Sequence, residues 1–319
     1  MSAKITMTVL GAEAVGKTTL LATMYTKLVH SSGNLSLKAS DSTGVALSKA
    51  YEKLAKRISE QGNFKSVGRL LEGSQGIIEH QFQILHKSKK ILDLSFYDIA
   101  GGIILEREDS KDFQEFRTIL SQESSVIVNI IDGAALVEGS ELYSEKVNKP
   151  TRIYELLQPA LENQRPHLVL FVITKCEHWL DDEEGKRKLL EAFETRHKPV
   201  IKLVRDHQNV VGVLLPVKTL GCVTYSRVFG KGTENERINF DRKFSPPPRP
   251  VPLPFSPEQV EQPLIYGLIF VLSQHLNNLS WWDKLFRRSE YHALQNALAD
   301  LSLKRHNNKV YGNFTLIEV

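Results

Sequence analysis

The chain has 319 residues, 41% hydrophobic and 24% charged, enough for one large decorated globular domain or one domain with a small appendage. Its formal net charge of +4, with no long Lys/Arg block, gives no sign of a nucleic-acid partner. The longest apolar run, Leu264 to Leu272, falls far short of the roughly 20 residues that cross a bilayer, and MSAKITMTVL at the start has no signal-peptide pattern.

Ile5 to Leu10 is apolar and β-branched and reads as a buried strand. Gly11 to Thr19, GAEAVGKTT, then fits G-x-x-x-x-G-K-[ST], and Leu21, Met24, Tyr25 and Leu28 follow at helical spacing. Strand, glycine-containing loop and helix are the context this phosphate-binding motif requires. Gly11 and Gly16 let the backbone curl round an anion, with the N–H groups of Glu13, Ala14, Val15, Gly16, Lys17, Thr18 and Thr19 around it. Lys17 is expected to reach the β- and γ-phosphates and Thr18 to hold Mg²⁺.

Ser31 to Ser40 is polar and ends the first helix. A helix follows with Leu47, Tyr51, Leu54 and Ile58 on one face, capped at Asp41 or Ser42 and stopped at Gly62. It is an insertion relative to a minimal nucleotide domain. After the Gly73 to Gly76 loop, Ile77 to His86 and Ile91 to Tyr97 read as an antiparallel hairpin. The second strand delivers Asp98, and Gly101 follows three residues later as D-x-x-G. Asp98 is expected to hold Mg²⁺ through water, and the Gly101 N–H to sense the γ-phosphate.

Phe113 to Gln122 reads as a helix, Ser125 to Ile131 as a strand ending at Asp132-Gly133, and Thr151 to Asn163 as a helix. A further buried strand, Leu168 to Ile173, ends in Thr174-Lys175-Cys176-Glu177. Glu183 to His207 is helical, with a break expected at Pro199, and Val210 to Leu215 is the last buried strand, followed by Pro216-Val217-Lys218-Thr219. Alternating strands and helices predict an α/β fold in three layers around a mixed, mostly parallel sheet. Val223 to Asp241 has no legible pattern. Ser245 to Pro257, SPPPRPVPLPFSP, is read as an extended strap crossing the domain, with a P-x-x-P ligand for an aromatic groove as the other reading.

Leu264 to Leu276 is an apolar helix covering the sheet, Ser280 to Arg288 and Ser289 to Arg305 are helical, and Tyr311 to Val319 is a terminal strand. In Ser280 to Arg288, Trp281, Trp282, Leu285 and Phe286 share a face that packs on its own domain, with binding to a membrane or a partner as the other reading. His80, His86, His167, His178 and His197 have no metal-ligand spacing. Cys176 and Cys222 read as free thiols of a reducing cytoplasm.

Together these motifs resemble the translation-factor-related, Ras-like class of P-loop GTPases. The chain is most similar to the bacterial double-GTPase type 2 domains through VLGAEAVGKTTLLATMY, FYDIAGG and VITKCEHWLDD. The resemblance implies a GTP- and Mg²⁺-binding switch over residues 1–277, with an insert at about 41–62 and a proline strap at about 245–257, followed by a helical extension over 278–319. Lys17 and Gly101 then act on the reacting phosphate. Thr174, Lys175 and Glu177 resemble the guanine-reading [NT]-K-x-D, with Glu in place of Asp. Val217 and Lys218 resemble the [ST]-A-K loop, with a backbone N–H on the guanine oxygen and Lys218 along the base. Ser74 is the switch residue for Mg²⁺, and Thr43 lies too early in the chain for that role.

The resemblance further implies a protein partner that reads the switch, in bacterial conflict or defence; membrane association is not expected, and the oligomeric state stays open. Two departures predict slow intrinsic hydrolysis. Gly102 stands where Ras-like enzymes carry a water-orienting Gln, and Glu13 stands at a loop position that is usually small. Glu106 and Glu108 either orient water or are solvated charges at a helix start. A nucleotide-holding scaffold without hydrolysis and an ATP-using enzyme stay open beside the GTPase reading.

Overall fold

Several strands of this chain have both faces buried. Every residue of Val126–Asp132 and His167–Thr174 is buried, as are all of Val210–Pro216 except its last. Runs this apolar need cover on both sides, which is the signature of a parallel sheet between helical layers. The computed structural model describes residues 4–29, 35–60, 75–278 and 288–317.

In chain order the strands are β1 (Lys4–Leu10), β2 (Leu35–Ala39), β3 (Ile77–His86), β4 (Lys89–Ile99), β5 (Val126–Asp132), β6 (His167–Thr174), β7 (Val210–Pro216), β8 (Val223–Phe229), β9 (Arg237–Arg242) and β10 (Val310–Gly312). The helices are α1 (Lys17–Val29), α2 (Asp41–Glu60), α3 (Lys111–Thr118), α4 (Gly133–Val137), α5 (Glu141–Asn148), α6 (Pro150–Leu161), α7 (Glu183–Arg196), α8 (Lys198–Asp206), α9 (Gln262–Asn278) and α10 (Arg288–Lys304).

One sheet of eight strands runs β10-β7-β6-β5-β1-β4-β3-β2, and β8 and β9 form a separate two-stranded ribbon. The pairs from β4 through β1, β5 and β6 to β7 are parallel, while β3, β2 and β10 join antiparallel at the two edges. The carboxyl ends of five parallel strands therefore line up along one rim, where open α/β sheets bind ligands. Helix α9 lies close on the sheet, since a Cβ at Gly267 would meet Met7 Cε at 2.9 Å. Residues from the C-terminal part, Ala297, Leu298, Leu301, Tyr311 and Ile317, are buried in the same core. Among the described residues no helix is long and apolar enough to cross a membrane.

Several elements depart from the sequence expectation. Leu35–Ala39 is a strand, not part of a polar turn, with Leu37 buried and paired to Ile84 across β3. Its signal was too short to read, and pairing to a long neighbour supplies what propensity does not. Val223 to Arg242, illegible in sequence, is the β8–β9 ribbon. Helices α4 and α5 lie where none was expected, being too short to display a period. The terminal strand is only Val310–Gly312, followed by a 3₁₀ turn at Phe314–Ile317. The break between α7 and α8 falls at His197, and Pro199 lies in the first turn of α8, where its missing N–H costs nothing. The hairpin turn is Lys87-Ser88, both at positive φ, as a two-residue turn requires. Gly62, Ser74 and the Trp281-Trp282 segment lie outside the described residues.

Candidate functional site

The loop after β1 curls as its glycines allow. Gly11 has φ +149° and Gly16 φ +107°, and a Cβ at Gly11 would meet Ile130 O and Val15 Cγ2 at 2.9 Å. Helix α1 starts directly from it, with no acidic residue in its first turn to compete for an anion. Lys17 folds back over the loop, and its Nζ donates to Gly11 O at 2.7 Å and Ala12 O at 2.9 Å. Burial lowers the Lys17 pKa, opposed by the charges of Asp98 and Glu13.

Asp98 is buried at the end of β4, beside Val9 in the parallel register. Gly101 comes next to the phosphate loop: a Cβ there would meet Glu13 N at 2.3 Å and Ala12 C at 2.6 Å. Only glycine permits that approach. At Gly102 an added Cβ would meet nothing within 4 Å, so space does not explain the missing glutamine. Ser110 Oγ donates to the Glu106 carboxylate and accepts from Phe113 N, so Glu106 is tied to the start of α3. The Gly76 carbonyl accepts from Ala100 N at 3.0 Å, which fixes the start of the hairpin beside D-x-x-G. Thr43 is buried and accepts from Gln81 N at 3.2 Å, a structural contact of the insert.

Thr18 and Asp98 are hard oxygen donors at one rim, a donor set that suits Mg²⁺. Among the described residues no group of three His, Cys, Asp or Glu is placed to hold a metal. A magnesium site that draws most of its ligands from phosphates and water needs none.

The loop after β6 reaches back to the phosphate loop. Thr174 Oγ1 donates to Val15 O at 2.5 Å, and Lys175 Nζ donates to Ala14 O at 2.7 Å. Lys175 also pairs with Asp132 at 2.6 Å. Asp132 closes β5, caps α4 by accepting from Ala135 N at 2.9 Å, and donates its own N–H to Asn148 Oδ1 at 2.7 Å. Sequence reading saw Asp132 only as a strand end; an Asp-Gly directly after a buried strand was the available signal.

Glu177 is buried. Its Oε1 accepts from Leu220 N at 3.1 Å and lies 3.4 Å from Thr219 Oγ1, while Oε2 has no hydrogen-bond partner. Burial pushes its carboxyl up, opposed by the bond from Leu220 and the charge of Lys243. Val217 and Lys218 make contacts of their own. Val217 N is spent on Ile173 O at 2.9 Å, extending the sheet. Lys218 Nζ turns outward to Glu258 at 3.1 Å and Asp181 at 3.8 Å. The segment that faces Glu177 is instead Thr219-Leu220.

No curated protein matches the chain in sequence. Among solved structures it is similar to the GTP-bound GTPase-like domain of Ski7 from S. cerevisiae, at 15% identity over 68% of this chain and 43% of that one, TM-score 0.42. It is also similar to the SRb–GTP/SRX signal recognition particle receptor complex from Chaetomium thermophilum, at 12% identity over 69% and 93%, TM-score 0.39. The chain thus spans less than half of the Ski7 chain, and likenesses this distant assign nothing to the site. The family model for Double-GTPase 2 matches residues 5–207, which hold β1 to α8 and with them the phosphate loop, D-x-x-G and Thr174 to Glu177. The chain belongs to the Double-GTPase 2 family.

Proposed function

We propose that this protein is a guanine-nucleotide switch with slow intrinsic hydrolysis that controls a protein partner. The supporting observation is the pair of bonds from Thr174 and Lys175 to the carbonyls of Val15 and Ala14. They hold a base-reading loop at a fixed distance from a phosphate loop, which a phosphate site alone does not require. Lys17 moves from its carbonyl partners to the β- and γ-phosphates, and the backbone N–H groups from Glu13 to Thr19 line the anion. Thr18 and Asp98 would hold Mg²⁺, with Ser74 proposed as the third, and the ion would neutralise phosphate charge. Gly101 N–H reads the γ-phosphate, so the segment after β4 differs between triphosphate and diphosphate states, and a partner reads that difference. Glu177 Oε2, buried and without a partner among the described residues, would take the N1–H and amino donors of guanine once the loops over it part.

Nucleotide identity decides this reading. Protein purified without added nucleotide should carry GDP or GTP, and GTP should raise its melting temperature more than ATP does. Lys17→Ala should carry none. Retained ATP, or a thermal shift larger with ATP, overturns the guanine assignment. A second reading, a nucleotide-holding scaffold, is favoured by Gly102 and by Glu13 inside the loop. It predicts bound GTP with no phosphate release even after partner is added.

A further inference from the structure

The proline strap does more than join the last strand to α9. Its end is paired to the loop after β7: Lys218 N donates to Glu258 O at 3.1 Å, Glu258 N to Lys218 O at 2.9 Å, and Ser256 N to Leu220 O at 3.0 Å. Gly221 lies against it so closely that a Cβ would meet Ser256 O at 1.9 Å. This is the same Leu220 whose N–H Glu177 accepts. Salt bridges reinforce the junction, with Lys218 on Glu258 and Lys243 on Asp181 at 2.6 Å.

The other side of the strap rests on the inserted helix. Phe255 meets Tyr51 of α2 with ring centroids 5.3 Å apart. Arg242, at the end of β9, donates to Ile58 O in the last turn of α2 at 2.7 Å and to Leu253 O in the strap at 3.3 Å. The strap itself folds back on the ribbon end, Leu253 N donating to Lys243 O at 2.9 Å. Three additions to the nucleotide domain, the insert helix, the β8–β9 ribbon and the strap, therefore meet one another and together grip residues 218–221.

We propose that Phe255, Tyr51 and Arg242 are positioning residues for the base site: braced on α2, the strap holds the 218–221 loop against Glu177 and so sets how fast a bound nucleotide leaves. This rests on the guanine reading for its ligand, but not for its geometry. A loop held from outside by backbone pairing keeps its donors in place without spending its own side chains on the base. With the brace removed, the loop breathes and Glu177 loses a fixed partner. The phosphate loop lies outside this brace, so association is left nearly unchanged and the effect falls on dissociation.

The test is the release of fluorescent mant-GDP from wild type, Phe255→Ala, Tyr51→Ala, the double variant and Phe255→Tyr, chased with excess GDP. An aromatic pair contributes about 1 kcal/mol beyond its buried area, so release should quicken about fivefold. Phe255→Tyr should release as wild type does, and the double variant should be no faster than the faster single one. Amide hydrogen exchange on nucleotide-free protein should show faster exchange at Leu220 and Glu258 in Phe255→Ala. Release unchanged in Phe255→Ala, or exchange raised throughout the domain alike, overturns the proposal. Wild type that binds no guanine nucleotide sinks the guanine reading instead, and the exchange measurement still decides the brace.

Discussion

The phosphate end and the base end proposed for this site are built in different ways. The phosphate end comes from contiguous residues between β1 and α1, plus Asp98 and Gly101 from the neighbouring strand. Its donors are backbone N–H groups, and Lys17 is its one buried side-chain cation. The proposed base end draws on the loops after β5, β6 and β7, the last of them paired to the strap. A phosphate needs only a ring of N–H groups and a positive charge, which a short motif supplies. A base needs side chains at set distances, and these have to be brought from remote parts of the chain.

The largest expected effect that sharpens this contrast is at Gly101. Alanine there would place a methyl group 2.3 Å from Glu13 N, and the obstacle is backbone, which cannot rotate away. Overpacking of this kind costs about 1–3 kcal/mol, so Gly101→Ala should shift the denaturation midpoint accordingly. It should also abolish any difference in melting between the GTP and GDP forms. An unchanged midpoint would mean that the segment after β4 does not rest on the phosphate loop in solution.

A control lies at His197, at neither end of the site. It is fully buried against Phe193, and neither ring nitrogen has a hydrogen-bond partner among the described residues. Burial, with the neighbouring Arg196 charge, depresses its pKa to about 3. The unfolded chain takes up a proton below about pH 6.5, and the folded protein refuses it. Stability from this residue is therefore complete above about pH 6.5 and drains as pH falls toward the folded value. Between pH 6.5 and 5 the loss is about 2 kcal/mol. His197→Phe should flatten that slope in urea titrations at the two pH values while nucleotide release stays as in wild type. A slope retained in the variant assigns the acid sensitivity to other groups.

The contrast also explains what was readable in the sequence. GAEAVGKTT and Asp98 to Gly101 were legible because backbone geometry and residue spacing are the same information there. Leu168 to Ile173 and Val210 to Leu215 were legible because burial on both faces leaves an unbroken apolar run. The base end was harder. Thr174 and Lys175 could be placed by their position after a buried strand, but not their bonds to Val15 and Ala14. The ion pairs of Lys218 could not be read, because Glu258 and Asp181 are distant in sequence or lie on another loop. The β8–β9 ribbon escaped because most of its residues are half-buried whichever way they point, so burial does not alternate along either strand.

Glu177 tests the base end directly. Glutamine keeps an oxygen for Leu220 N but loses the charge and turns a donor toward the donors of guanine. Preference for GTP over ATP should fall about tenfold in competition binding. Stability should hold or rise, because burial already pushes the Glu177 carboxyl up and a neutral amide is cheaper to bury. A fall in stability with base preference intact would make Glu177 a latch between the loops after β6 and β7 and nothing more.

The smallest effect is expected at Gly102, and it concerns the phosphate end. The position is open, since an added Cβ would meet no atom within 4 Å, so Gly102→Gln should fold as wild type does. If slow hydrolysis follows from the missing water-orienting amide, the variant should release phosphate from GTP a few-fold faster in single-turnover assays. The gain stays small because Glu13 still places a carboxylate in the loop, adding negative charge where charge builds on the γ-phosphate. Glu13→Gly combined with Gly102→Gln should therefore exceed the product of the two single effects, since each removes an obstacle that limits the other. Equal rates in all four proteins would leave hydrolysis to a group supplied from outside the chain.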